Sequence, residues 1–411
     1  MNPSVAAERL GLDDVRAAES RIRGMVRETP LVRAGELSRR VGARVLLKAE
    51  NLQLTGSFKV RGATNRIALL SGSQRAAGVV AASAGNHAQG LAFAARRLGT
   101  RATAAMPIDA PLAKVAAVRQ YGGEVVSVDG GYDEARRVAD ELAAERGMTA
   151  VPAFDDPDVV AGQGTVGLEI AAAAPQLRLA VVPLGGGGLA TGVAIALKSL
   201  LPAVRVVGVQ AEACAPYPAS LAAHRAIGAR SANTICDGIA VKQPGELTLP
   251  LVERWLDDVV TVSDDEAAEA MVLLLERSKL VVEGAGAVAV AALMHGKVTA
   301  PATGDVCAIL SGGNVDASLL AECIRLGETA AKRRIVLTTV VPDRPGALAR
   351  LLRVVAERGA NVMDVEHVRE GMSLHVRETA VRLVLQTKGA EHDMDIVEAV
   401  RNEGFEVRLE Q

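Results

Sequence analysis

The stretch LAVVPLGGGGLATGVAIALKSLL, residues 179–201, decides how the rest of the chain is read. A short β-branched run ends in four glycines, Gly185, Gly186, Gly187 and Gly188, and an alanine- and leucine-rich helical pattern begins at Leu189. Glycines at a strand-to-helix turn let several backbone N–H groups converge on one anion at a helix N-terminus. No G-K-[ST] follows, so a Walker P-loop is excluded. Two readings stay open here. One is a phosphate cradle of unspecified ownership. The other is a dinucleotide site, in which Gly185, Gly187 and Ala190 fit G-x-G-x-x-A and Glu212 lies where an acid would meet a ribose.

The same alternation extends outward from this segment. Apolar runs at Val45 (VLLK), Gly78 (GVVAAS), Glu124 (EVVSV), Val204 (VRVVGV) and Val306 (VCAIL) alternate with helical patterns over Gln89–Leu98, Asp133–Arg146 and Asp264–Lys279. This predicts an α/β fold with a mostly parallel sheet and ligands at the C-terminal strand ends. The rhythm changes at Ile335. A strand IVLTTVV, the turn DRPG at Asp343, a helix over Ala347–Arg358, strands near Asn361 and Val381, a helix near Asp393–Glu403 and a strand from Phe405 follow in order. That β-α-β-β-α-β order is a ferredoxin-like module. The polar LGETAAKRR, residues 326–334, reads as the linker before it.

Composition narrows the function. The 411 residues are 49% apolar and 23% charged, the usage of an ordinary globular protein with two or three domains. Aromatics are only 2% and the net charge is −2, so neither stacked rings nor a basic field supports a nucleic-acid or anionic-membrane partner. Cys214, Cys236, Cys307 and Cys323 form no C-x-x-C pair, which suits a reducing cytosol and argues against a zinc knuckle. No basic-then-apolar leader pattern is read at the N-terminus. The uncharged stretches Ala76–Ala95 and Leu179–Leu197 are interrupted by Asn86, His87 and Gln89, and by Pro183 and the glycines, so neither is a membrane span. A cytoplasmic location is the expectation.

Three further segments carry candidate chemistry. In TGSFKVRGA from Thr55, the Thr55-Gly56-Ser57 triplet reads as a capped helix entry and puts Lys59 in the first turn, at the positive end of the dipole. Desolvation and nearby positive charge lower a lysine's pKa, which suits a Schiff-base amine; a surface lysine is the plainer alternative. Ser83-Ala84-Gly85-Asn86-His87 ends one apolar run and opens a helix, where backbone N–H groups can hold a carboxylate and Asn86 offers an amide. Ser83 as a helix cap and His87 as a hydrogen-bonded helix residue are the plainer readings. Ser311, in SGGN after VCAIL, offers an uncharged hydroxyl at another strand end, or simply another cap.

Taken together, the segments resemble the fold-type II pyridoxal-phosphate (PLP) enzymes, specifically the threonine ammonia-lyases (threonine dehydratases) with one C-terminal ACT domain. SFKVRGA, SAGNHAQG, GQGTVGLEI, GGGGL, TICDGIAVK, EGAGAVAVAAL and SGGNVD occur in the family's order, and VVPDRPGAL at Val340 covers the regulatory part. With that many ordered motifs, the dinucleotide reading falls. The resemblance implies a two-lobed, tryptophan synthase β-like catalytic domain over residues 1–325, with a smaller lobe roughly 45–155 inserted in the larger, the linker 326–334, and a ferredoxin-like ACT domain over 335–411. It implies that Lys59 carries the cofactor, that Phe58, Asn86, Gly185, Gly186, Gly187, Gly188 and Leu189 surround it, and that Ser311 faces the pyridine nitrogen. Ser83, Gly85, Asn86 and His87 would surround the substrate carboxylate. Glu283, a lone acid in an apolar run, reads either as a buried partner near the cofactor or as a surface helix residue.

The implied reaction converts L-threonine to 2-oxobutanoate and ammonia, or L-serine to pyruvate, as a first step towards isoleucine. The alternatives are an L-serine dehydratase, a serine racemase-like enzyme and an inactive amino-acid sensor. Racemases of this fold carry a serine before G-N-H, where this chain has Ala84. Their divalent-cation loop matches poorly beyond Glu212, so no metal is expected. Intact Lys59, Asn86 and Ser311 argue against a sensor alone. In the ACT module, Asp343, Arg344 and Gly346 in the first turn, with Asn361 opening the next strand, are the candidate effector residues for isoleucine or valine. A homodimer or homotetramer is the expected assembly.

Overall fold

A computed structural model describes residues 3–369 and 374–410, and the chain divides into two compact units, residues 1–316 and 317–411. The first unit holds two sheets. The larger has the order Leu31–Arg33, Arg44–Ala49, Asp305–Leu310, Leu177–Pro183, Arg205–Ala211, Asp258–Val262, parallel throughout except the first pair. Its central strands are buried almost end to end, as parallel strands covered on both faces must be. The smaller sheet is wholly parallel, in the order Glu124–Val128, Ala102–Pro107, Val79–Ala82, Thr149–Ala150. Each sheet has its own apolar cluster, the larger built on Leu177, Ala180, Val182, Val193 and Ile309, the smaller on Val79, Leu91, Ala104 and Met106.

Two expected boundaries shift. Arg44–Ala49 pairs with Asp305–Leu310 in the larger sheet, so the smaller lobe begins after it and not near residue 45. The polar run 326–334 is helical up to Ala330, within the helix Ala317–Ala330, and only the last residues turn into the strand Arg334–Pro342. Leu, Glu and Ala are good helix formers, and together they carry the helix through Gly327, so polarity alone does not make a linker.

The segments around the candidate residues fold for local reasons. The helix Pro157–Ala173, carrying the GQGTVGLEI motif, starts at Asp156, whose carboxylate accepts the Asp158 and Val159 N–H groups, with Pro157 at the first position. A Cβ on Gly162 would lie 2.6 Å from the Cα of Gly62, so that motif lets the helix Lys59–Ala68 approach to backbone contact. Among the described residues, no helix is long and apolar enough to cross a membrane.

The second unit has strands Arg334–Pro342, Asn361–Val368, Glu378–Gln386 and Val407–Glu410 with helices Ala347–Glu357 and Ala390–Asn402. Its sheet is antiparallel between neighbours, with the first and third strands at the centre. Leu337, Leu351, Val355, Leu383, Ile396 and Val400 form its core.

Candidate active site

Lys59 is the first residue of its helix. Its ammonium donates to the Ala153 carbonyl at 2.9 Å and sits 5.1 Å from the Phe58 ring centroid. Burial pushes its pKa down to about 8, and the charge of Glu283 opposes that shift only in part. A sizeable fraction of neutral amine near physiological pH follows, which an ordinary lysine lacks. The expected cap does not form. Phe58 occupies the cap position, and the buried hydroxyls of Thr55 and Ser57 have no protein partner. Two residues after Lys59, Arg61 is fully buried and bonds both Glu50 and Glu169, which gives the lysine's helix a rigid base.

A ring of contacts closes around this amine. Phe154, next to Ala153, packs so tightly on the glycine turn that a Cβ on Gly186 would lie 2.3 Å from its ring. Ile239 covers Gly185 from the other side, and Gly238 beside it faces Glu283 and Asn86. Gly312 lies against Glu283, and the preceding Ser311 carbonyl accepts the Phe58 N–H, which returns the ring to Lys59. The structure therefore links Lys59, Phe58, Asn86, Ser311 and the glycine turn Gly185–Gly188 through one continuous chain of contacts.

The glycine turn is a cradle. Gly187 sits at φ +98°, where an L side chain is strained, and its Cβ would strike the Tyr217 hydroxyl at 2.5 Å. The amides of Gly185, Gly186 and Gly187 donate to no protein acceptor among the described residues, as an anion site at the start of the helix Gly188–Leu200 requires. Cradle, depressed lysine and unused donors fit the phosphate, aldehyde and ring substituents of PLP.

The second turn is wired through side chains. Asn86 opens the helix Asn86–Arg97, donates to Glu283 Oε1 at 2.7 Å and accepts from Asn314 Nδ2 at 2.7 Å. One amide hydrogen of Asn86 stays available for a ligand. Glu283 is 5% exposed, and burial followed by the charge of Asp237 pushes its pKa up to about 7, although its bond to Asn86 favours the anion. It is thus the buried partner and not the surface residue. Gly85, not Ser83, occupies the cap position of this helix, but the Ser83 hydroxyl accepts the Gly85 and Ala88 N–H groups at 3.2 and 3.4 Å. That bond takes up the Gly85 amide, leaving the Ala84, Asn86 and His87 amides without an acceptor among the described residues. His87 bonds the Val151 carbonyl through Nε2 at 2.8 Å, and burial, then Lys59, lowers its pKa to about 4. It is neutral, with Nδ1 a buried acceptor lacking a partner. Ser311 Oγ is 3.4 Å from the Ala285 carbonyl, a long bond that leaves the hydroxyl easily re-aimed.

The chain matches the model of the pyridoxal-phosphate dependent enzyme family over residues 22–312. It belongs to that family. Residues 335–402 match the ACT domain. The chain is 44% identical to the L-threonine ammonia-lyase of Thermotoga maritima over 398 residues, covering 97% of this chain and 99% of the relative. Within the PLP enzymes it therefore belongs with the threonine ammonia-lyases. The processed form of threonine deaminase isoform 2 from Solanum lycopersicum superposes with a TM-score of 0.72 at 36% identity, over 77% of this chain and 92% of that one. Maize serine racemase superposes with 0.73 at 33% identity, over 78% and 98%.

The effector candidates do not stay together. Asp343 and Gly346 flank the turn after the first ACT strand, and Asp343 pairs with Arg369 at 3.4 Å. Asn361 lies level with Arg334, at the opposite end of the sheet, roughly 25 Å away at 3.3 Å per residue. The helix returns the chain to the starting end, so the end of the Asn361–Val368 strand, and not its beginning, approaches Asp343. Asn361 bonds Gln386 instead.

Proposed function

We propose that the protein converts L-threonine to 2-oxobutanoate and ammonia, and L-serine to pyruvate, with Lys59 as cofactor anchor and proton carrier. The observation that carries this is the buried Lys59 amine, of lowered pKa, bonded to Ala153 beside the Phe154 that packs on the amide-lined glycine turn. Bound PLP supplies the electron sink that makes the substrate Cα proton acidic. The amides of Asn86 and His87 hold the carboxylate at the start of their helix, where the dipole favours an anion. The neutral amine of Lys59 takes the Cα proton as general base. Asn86 is clamped by Glu283 and Asn314, and its remaining N–H would bond the phenolic oxygen of the bound cofactor. Ser311 would face the ring nitrogen of the bound cofactor without adding charge, which would favour prompt loss of the β-hydroxyl.

Serine racemase-like chemistry is the second reading, favoured by the maize superposition. Ala84 has no proton to deliver from the face opposite Lys59, so elimination is preferred. A steady-state assay with L-threonine, L-serine and their D-isomers tests the choice: keto-acid release from the L-isomers is expected, and D-serine accumulation would reverse it. The biological setting we assign is the cytoplasm, as a homo-oligomer supplying isoleucine synthesis. Isoleucine or valine then binds near Asp343, Arg344 and Gly346 of the ACT domain. Calorimetry with the intact chain and a chain ending at Lys332 tests the last point; equal heats from both would remove it.

A further inference from the structure

We propose that Tyr217, Gln210 and Thr191 are positioning residues that aim the amides of the glycine turn by gripping its carbonyls. The proposal rests on the reading of Gly185–Leu189 as the phosphate site. All three side chains are fully buried, and none is reached by the chemistry described above. Gln210 Nε2 donates to the Leu184 carbonyl at 3.3 Å. The Tyr217 hydroxyl donates to the Gly186 carbonyl at 3.1 Å, with Thr248 Oγ1 3.3 Å away as its second neighbour. Thr191 Oγ1 donates to the Gly187 carbonyl at 2.9 Å. A trans peptide is planar, with its C=O and N–H pointing to opposite sides. Fixing the carbonyls of Leu184, Gly186 and Gly187 therefore turns the N–H groups of Gly185, Gly187 and Gly188 away from the protein, towards the anion.

Glycine makes this bracing necessary. Four residues without side chains have the widest choice of backbone angles, so the turn alone would pay the largest ordering cost when a phosphate binds. Gln210 also accepts the Tyr217 N–H at 3.0 Å, which ties two of the three grips into one unit. Asp155 adds a rear support, because its carboxylate accepts the N–H groups of Glu246, Leu247 and Thr248 and so holds Thr248 behind Tyr217.

The test compares PLP with pyridoxal, which has the aldehyde and ring but no phosphate, by titrating each into cofactor-free protein. Tyr217→Phe keeps the ring packing and removes only the hydroxyl. It should weaken PLP about three- to tenfold, the worth of one hydrogen bond, and leave pyridoxal binding unchanged. Thr191→Val should do the same to a smaller degree, since the Thr191 N–H also holds the Gly187 carbonyl. Equal weakening of both ligands, or unchanged PLP binding in both variants, overturns the proposal alone, provided the parent prefers PLP. A parent that binds both ligands equally removes the phosphate reading and this proposal with it.

Discussion

Leu177–Pro183 and Val79–Ala82 are both parallel strands that run into a helix through a short turn, yet the two turns are stabilised by opposite means. At Gly185–Gly188 the turn has no side chains of its own, and buried residues from elsewhere grip its carbonyls. At Ser83–His87 the turn's own side chains do the bonding, through Ser83 to two amides, Asn86 to Glu283 and Asn314, and His87 to Val151. A site for an invariant group such as a phosphate can be built from fixed backbone. The Ser83–His87 turn also presents backbone amides, but its own side chains set their position, and one of them bonds an acid whose pKa is pushed up to about 7.

Breaking the backbone turn should have the largest effect. Gly186→Ala sets a methyl into the Phe154 ring, and the loop must move. PLP affinity should fall at least about a hundredfold, as expected when a tightly packed site loses several charge-assisted hydrogen bonds, measured by absorbance titration. Parent-like affinity would show that the amides do not hold the phosphate. Next comes Asn86→Ala, which strips Glu283 of its donor. PLP should bind about tenfold more weakly, the scale of one lost hydrogen bond, and the acid limb of kcat/KM that Glu283 imposes through Asn86 should disappear.

Glu283→Gln sharpens the contrast through pH. The Glu283 value is raised to about 7, so the parent's kcat/KM should fall as pH drops through 7, when protonation weakens the hold on Asn86. The glutamine variant should lose that limb. Stability runs the other way. A carboxyl whose folded value exceeds its unfolded 4.5 makes the folded state bind the extra proton, so its contribution falls as pH rises from about 4.5 to 7. The Tm advantage of Glu283→Gln over the parent should therefore grow from pH 5 to pH 8. A constant gap would mean that Glu283 is not the titrating group. The smallest effect belongs to Ser83→Ala, which removes the acceptor of two amides, worth about 1 kcal/mol, and should lower Tm by about one to two degrees with little change in PLP binding.

The difference between the turns also explains what could be read from sequence. Glycines after an apolar run and before an alanine-rich helix announce both the boundary and its use, and the observed helix starts at Gly188, one residue before the expected Leu189. The strand Ala102–Pro107, ATAAMP, carries no β-branched signal beyond one threonine, so its sequence does not announce a strand although it pairs on both sides within the smaller sheet. The braces were equally silent. Gln210 and Tyr217 lie in and after a strand that looks like any other, and only the folded chain carries them to Leu184 and Gly186. Asn314 stood inside the quoted SGGNVD motif without a role, because its partners Asn86 and Thr55 are more than two hundred residues away in the chain. Asn361 lies far from Asp343 because a strand following a crossover helix begins at the end where the previous strand began.

All of these tests presuppose that Lys59 is where the cofactor attaches. Borohydride reduction of the PLP-loaded protein, followed by peptide mass spectrometry, examines that most directly. The account predicts a reduced pyridoxyl group on Lys59 and its absence in Lys59→Ala. A label on Lys48, which the structure ties to Glu169 and the Thr29 carbonyl, or on Lys114, paired with Asp237 at 2.6 Å, would contradict it.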